Sequence, residues 1–307
     1  MAAATQQLLS PIHADVKGAR HLTTILQQNG IPCALWAVNA AAHYGGGLVP
    51  LDIEVAINSA DQQRVFELFT SYGLTLSTSE QQERQPGSLR EWYETAPSSS
   101  KYRDRRRTRL VTPIYELPLS GDPLGDMLRP FIIIYSVETV GLPVIPLPAS
   151  VAEDKSTATY VPLSILSATY PLRQDDLASP KESVDLLLRD CMVPSFQSLV
   201  RSELHVLLMH AEPSSPVWSQ HRAQLSELIH SRSCPDGPDG MREVVADEKF
   251  NDFIEWFRAS LKGEADYHGK LDGLRAAYRE TYHSNIEVEP SDAQVETGQV
   301  DQHSASN

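Results

Sequence analysis

One short segment, residues 35–54, constrains this chain more than any other. It reads as the end of a strand, a turn of small residues, a Tyr-Gly-Gly-Gly run and a second strand that begins near Leu51. That strand carries Asp52 and Glu54, which are two positions apart and therefore project from the same face. Their backbone positions are about 7 Å apart, given the rise per residue of a strand. Two carboxylates in this arrangement can jointly hold a hard cation such as Mg²⁺.

The residues of this acid pair, Asp52 and Glu54, allow two interpretations. In the first, they are ordinary surface acids on the solvated face of a strand whose opposite face is buried. In the second, they hold Mg²⁺ and so neutralise a triphosphate, as the carboxylates of phosphoryl- and nucleotidyl-transfer sites do. Both interpretations stay open on the residues alone.

The spacing of apolar residues predicts a change of structure along the chain. The predicted strands cover about residues 32–36, 51–57, 110–117 and 131–137. The predicted helices cover about residues 15–28 and 60–72, and then 180–188, 194–209, 217–230, 247–261 and 267–283. We therefore expect an α/β half followed by an all-helical half.

Charge and composition limit the partners and the location. With 26 Lys and Arg against 40 Asp and Glu, the net charge is −14, so we expect no duplex DNA partner. No apolar run approaches the roughly 18–20 residues that span a bilayer, so no membrane association is expected. The N-terminal residues lack a secretory signal pattern. Three cysteines at unrelated spacings favour a reducing, cytoplasmic location.

Five arginines between residues 103 and 109 form the densest basic cluster of the chain. They lie in a polar stretch, about residues 78–109, that we interpret as a mobile loop. The cluster is then either a solvated part of that loop or a clamp for phosphate groups or an RNA backbone, because guanidinium groups bind phosphate bidentately. RNA therefore stays open as a partner.

The spacing of the segment around the acid pair resembles the motif of the nucleotidyltransferase-fold superfamily (DNA polymerase beta-like), in particular its small bacterial and toxin–antitoxin members. In that motif a strand ends in Gly-Gly, and x-Ala-x-x-x-Tyr-Gly, about six residues and Asp-x-Asp or Asp-x-Glu follow. Here Ala37-Val38 stands at the Gly-Gly position, and Asn39, Ala40 and Tyr44-Gly45 follow. After six more residues comes Asp52-Ile53-Glu54, without a gap.

The resemblance implies an α+β fold, with a nucleotidyltransferase-like mixed sheet domain followed by an all-helical C-terminal domain. We place the sheet domain at residues 15–165, after a loose N-terminus at 1–14. The helical domain covers residues 166–284, and a disordered acidic tail covers 285–307.

The resemblance also implies a reaction, the transfer of a nucleotidyl group from a nucleoside triphosphate to an unidentified acceptor. Asp52 and Glu54 would be catalytic and would hold Mg²⁺. Lys181 would be a further catalytic residue, because it opens a Lys-Glu-Ser-Val-Asp-Leu stretch that resembles a second family pattern. The residues that would bind the triphosphate are Ala37, Val38, Asn39, Arg105 and Arg107.

Two departures from the family pattern keep another function open. Ala37 and Val38 place side chains where the family's glycines let backbone amides approach a triphosphate. The family's third carboxylate has no clear counterpart, and Glu116 and Glu138 are only nearby acids. The alternative is a catalytically degenerate fold that serves as a binding or interaction module. A third, less supported hypothesis is a transferase specialised for RNA or a metabolite.

Overall fold

The fold centres on a mixed β-sheet in a computed structural model of the 307-residue chain. The structure describes residues 12–77, 110–118, 129–146, 159–163, 166, 191–213, 215–231, 233–234, 236–263 and 269–286. The strands in these ranges are β1 Cys33–Leu35, β2 Ile53–Ile57, β3 Thr75–Leu76, β4 Ile114–Glu116, β5 Phe131–Ser136, β6 Tyr160–Pro162 and β7 Met192–Pro194. They form one seven-stranded sheet in the order β3-β4-β5-β2-β1-β7-β6.

Helices lie before and between the strands, and most of the described residues after β7 are helical. They are α1 Val16–Gln28, α2 Ala37–Ala41, α3 Gln62–Ser71, α4 Phe196–Met209, α5 Pro216–Ile229, α6 Met241–Val245, α7 Asn251–Leu261 and α8 Gly269–Ile286. The predicted mixed sheet with a helical C-terminal region is thereby confirmed. None of the described helices combines the length and apolar character needed to cross a membrane.

Strand β2 lies at the centre of the sheet and determines where the acid pair sits. It pairs antiparallel with β1 and parallel with β5, and all five of its residues are buried. Asp52 and Glu54 are each 1% exposed. The interpretation of the pair as surface acids on a solvated face is therefore wrong, because both faces of this central strand are covered.

Strand β7 was missed by the sequence prediction. Met192–Pro194 lies in the range that we expected to be all-helical, and it pairs in parallel with β1 and antiparallel with β6. Three residues are too few for a periodicity to distinguish a strand from a buried helical turn. Among the described residues after β7, the regular elements are helices, and the first of them is α4, where the Ser195 hydroxyl accepts a hydrogen bond from the Ser198 amide.

Candidate functional site

The first residue of α2, Ala37, has an unusual backbone conformation. Its φ is +49°, a left-handed conformation that glycine adopts readily and that costs other residues about 1–2 kcal/mol. The residue is also completely buried. Ala37 stands at the first glycine of the resembled motif, so this position has the backbone conformation that favours glycine although it carries a side chain.

Glu54 connects β2 to the start of α2 through both its backbone and its side chain. Its amide donates to Asn39 Oδ1 at 2.8 Å, and its carbonyl accepts from the Trp36 amide at 2.9 Å. Its carboxylate receives a long hydrogen bond from the Val38 amide, 3.4 Å from Oε2, and lies 3.5 Å from the Tyr135 hydroxyl through Oε1. The Val38 amide occupies the motif position that the resemblance assigned to phosphate binding. In this fold it donates to the Glu54 carboxylate.

Asp52 lies at the same end of the strand and is held by the neighbouring β5. Its Oδ1 accepts a hydrogen bond from the Phe131 amide at 3.0 Å. Glu54 is therefore held at Val38 and Asn39 of α2, whereas Asp52, two residues earlier, is bound to β5. The donor chemistry of two carboxylates suits Mg²⁺. In this fold, however, both carboxylates are buried and engaged with backbone amides.

The two candidates for a third carboxylate lie at different ends of the sheet. Glu116 is in register with Phe131, the residue whose amide binds Asp52, so Glu116 lies at the same end as the acid pair. It is two strands from β2, about 10 Å at the usual strand separation. Glu138 follows the opposite end of β5, where it accepts a hydrogen bond from the Ser59 hydroxyl. Within the described ranges, no three His, Cys, Asp or Glu side chains are grouped to hold a metal ion.

The remaining predicted site residues are not covered by the structure. Lys181, Arg105 and Arg107 lie outside the described residues, as do the rest of the arginine cluster and the predicted helix at 180–188. Their proposed roles in catalysis and phosphate binding stay predictions.

A polar network that the sequence did not reveal lies behind the acid pair. The Trp36 indole Nε1 donates to the Ser202 hydroxyl at 2.8 Å, and its ring lies 4.5 Å from the Tyr135 ring and 5.6 Å from the His221 ring. His221 Nδ1 is 2.8 Å from Glu203 Oε2, and both side chains are buried. The sequence indicated this network only through a glutamate within the apolar run of α4. Which side chain of α5 pairs with that glutamate depends on how the two helices pack.

Two buried nitrogen-bearing side chains, Arg20 and His43, influence each other electrostatically. Arg20 of α1 is only 7% exposed, and its Nε and Nη2 atoms have no hydrogen-bond partner. His43, in the short 3₁₀ turn after α2, is 5% exposed. Burial, together with the positive charge of Arg20, lowers the pKa of His43 to about 4. His43 is therefore a neutral core residue at pH 7.

Neither protein-family models nor curated proteins give a match to this chain. A functional proposal therefore rests on the resemblance of the motif and on the geometry of the acid pair.

Proposed function

We propose that this chain has a nucleotidyltransferase-like fold in which the acid pair has become structural, so that the protein acts as a binding or interaction module and not as a transferase. The observation that carries the proposal is the engagement of both buried carboxylates with backbone amides, Asp52 with Phe131 and Glu54 with Val38. The order helix, strand, short helix, strand, helix from α1 to α3 supports the nucleotidyltransferase-like part of the proposal.

The electrostatics of this arrangement oppose triphosphate binding. A triphosphate that approached the start of α2 would meet the Glu54 carboxylate at the Val38 amide, and like charges repel strongly where water is excluded. The side chains of Ala37 and Val38, both buried, occupy space that paired glycines would leave open. Binding would require Glu54 to leave its amide partner and the site to open.

The deciding experiment is a thermal-shift and calorimetric titration with ATP, GTP, CTP and UTP, each with and without Mg²⁺. The proteins are the wild type and the isosteric variants Asp52→Asn and Glu54→Gln. A nucleotide at 100 times its dissociation constant adds about 2.7 kcal/mol of stability, which is easily detected. We expect no Mg²⁺-dependent stabilisation of the wild type, and a loss of about 1 kcal/mol of folding stability in each variant, because a charge-assisted hydrogen bond to a backbone amide becomes a neutral one.

A Mg²⁺-dependent stabilisation that disappears in Asp52→Asn would overturn this proposal and favour a second candidate, an active Mg²⁺-dependent nucleotidyltransferase. Two observations favour that candidate: the glycine-like backbone of Ala37 and the position of Glu116 at the same end of the sheet. Its direct test is transfer of label from α-labelled nucleoside triphosphates to protein, RNA or small acceptors. Transfer by the wild type and its absence in Asp52→Asn would establish the activity.

A further inference from the structure

Two of the three cysteines lie opposite each other on neighbouring strands of the sheet. Cys33 is the first residue of β1, and Cys191 comes directly before β7. The two strands run parallel with Ala34 opposite Met192, which places Cys33 opposite Cys191. Neighbouring strands are about 4.8 Å apart, and disulfides join Cα atoms that are about 4.4–6.8 Å apart. The backbone spacing of this thiol pair, Cys33 and Cys191, therefore suits a disulfide.

The side chains of the thiol pair converge on one residue of helix α1, Thr23. The Thr23 hydroxyl donates to Cys191 Sγ at 3.5 Å, and the Cys33 thiol donates to the Thr23 carbonyl at 3.7 Å. Both cysteines stand one position before the paired residues of their strands, so they share one face of the sheet. The contacts with Thr23 identify that face as the one that α1 covers.

The backbone of each cysteine in the thiol pair is held by a further strand. Cys33 is in register with Ile57 of β2, and the Cys191 carbonyl accepts from the Leu163 amide at 2.8 Å. The third cysteine, Cys234, contacts its own loop instead, because its Sγ lies 3.2 Å from the Gly237 carbonyl oxygen. The fold therefore keeps Cys33 and Cys191 in position for each other.

The thiol pair is protected while the sheet is closed. Cys33 and Cys191 are free thiols, each 1% exposed. Burial, followed by the charge of Cys191, raises the pKa of Cys33 well above its usual value. Burial raises the pKa of Cys191 to about 11, although the Thr23 hydroxyl and the charge of Arg20 lower it. Because the thiolate is the reactive form, the pair reacts before β1 and β7 have closed on each other, or after they separate.

We propose that Cys33 and Cys191 form a reversible disulfide that joins β1 to β7 when the chain folds in the presence of an oxidising small-molecule disulfide. The bond closes a long segment of chain that contains strands β2 to β6. Such a closure restricts the unfolded chain, so the oxidised protein is more stable than the dithiol. The thiol pair thus makes the stability of the sheet depend on redox conditions. This proposal does not depend on the function proposed for the acid pair.

The reaction is a thiol–disulfide exchange in two steps. The thiolate of one cysteine attacks a sulfur of the small-molecule disulfide, whose S–S bond breaks as one small thiolate leaves. The thiolate of the other cysteine then attacks the cysteine sulfur of this mixed disulfide and releases the second small thiolate. The two protons lost by the cysteines pass to the two leaving thiolates. The thiol pair is oxidised by two electrons, and the small disulfide is reduced to two thiols.

The test refolds the full chain from urea with either oxidised or reduced glutathione. The remaining thiols are blocked with N-ethylmaleimide under denaturing conditions, and the peptides are mapped by mass spectrometry without reduction. We expect the main product of the oxidised sample to be a linked peptide that contains Cys33 and Cys191 and not Cys234. Dithiothreitol should separate it into its two parts. This mapping needs no substitution, so it stays informative if a variant fails to fold.

The matched variants are Cys33→Ala and Cys234→Ala. For the wild type and Cys234→Ala, we expect the urea midpoint to be about 1 M higher after refolding with oxidised than with reduced glutathione. Cys33→Ala should have the same midpoint in both conditions. The proposal is overturned if the oxidised chain keeps its three free thiols, or if Cys33 or Cys191 is linked mainly to Cys234 or to glutathione. It is also overturned if the linked chain unfolds at the same urea concentration as the dithiol.

Discussion

Ala37 shows at the scale of one residue how this chain departs from the motif that it resembles. Its backbone has the conformation of a glycine, while its methyl group is fully buried in the core. Such a residue is stable only when its surroundings compensate for the unfavourable conformation. Here the hydrogen bonds of Glu54 to Trp36 and Asn39 hold the turn on both sides.

We predict that Ala37→Gly changes the free energy of unfolding by less than about 1 kcal/mol. Relief of the left-handed conformation offsets the lost methyl burial and the greater freedom of glycine in the unfolded chain. The control is Ala40→Gly, because Ala40 is equally buried but lies in the right-handed helix α2. That change should cost about 1.5–2 kcal/mol. Urea unfolding measures both, and equal losses would contradict the role of the φ angle.

From the lowered pKa values of two buried histidines, we predict that the free energy of unfolding decreases in mild acid. Burial lowers the pKa of His43 to about 4 and that of His205 to about 3, whereas both titrate near 6.5 in the unfolded chain. Below pH 6.5 the unfolded state therefore binds more protons than the folded state. Stability is present above that pH and is lost as the pH falls towards the folded-state pKa. Each histidine should cost about 2 kcal/mol between about pH 7.5 and pH 5.

The measurement is urea unfolding as a function of pH for the wild type, His43→Gln and His230→Gln. His43→Gln should reduce the slope of stability against pH by about one proton in this range. His230→Gln, at an exposed position, is the control and should leave it unchanged. A slope in His43→Gln equal to that of the wild type would show that His43 is protonated in the folded state.

At the scale of elements, the contacts between β2 and α2 bear on whether the acid pair binds a ligand or stabilises the fold. Asn39 is buried and accepts from the Glu54 amide at 2.8 Å. The sequence assigned Asn39 to triphosphate binding. That role stays a prediction, and in the fold the side-chain oxygen of Asn39 accepts a hydrogen bond from the backbone of β2.

We therefore predict that Asn39→Ala lowers the free energy of unfolding by about 1–3 kcal/mol, because a buried amide loses its acceptor. The matched control is Asn29→Ala at the exposed end of α1, where the side chain donates to the Ile25 carbonyl and the loss should be about 0.5–1 kcal/mol. Chemical denaturation of both variants provides the comparison. A nucleotide-dependent stabilisation of the wild type that Asn39→Ala abolishes would restore the triphosphate-binding role.

At the scale of the whole molecule, the sheet and the helical region share buried contacts. The Trp36 indole bonds to Ser202 of α4, and the Ser202 hydroxyl in turn donates to the Val140 carbonyl at 2.5 Å. The Tyr44 hydroxyl donates to the Pro194 carbonyl at 2.6 Å. These bonds connect the part of the chain before residue 165 with the part after it, where we predicted a domain boundary.

We predict that the two parts unfold together in a single urea transition. Contacts that are buried and hydrogen-bonded across the boundary make partial unfolding expose unsatisfied polar groups, which favours cooperative unfolding. The measurement compares far-UV circular dichroism with hydrogen exchange of peptides from β1–β2 and from α7–α8. Coincident transitions are expected. Separate midpoints would mean that the predicted domain division describes two independent folding units.

The contact between His205 and His210 shows why part of the polar interior was not predicted. His205 lies within the helix predicted at residues 194–209, whereas His210 follows its last residue. Helix α4 ends at Met209, and the two rings lie 5.6 Å apart. The predicted end of the helix was right, but the helical period did not determine how the chain turns after it and brings His210 back towards His205.

By itself, the sequence determined the local structure: most of the longer helices and strands, a strand at the acid pair, and the helical character of the C-terminal region. These follow from residue spacing, because helix and strand periods are properties of neighbouring residues. Only the tertiary structure decided the burial of Asp52 and Glu54, the addition of β7 beside β1, and the meeting of β5, α4 and α8 around His205. These features depend on contacts between residues far apart in sequence, and local periodicity carries no information about which elements pack together.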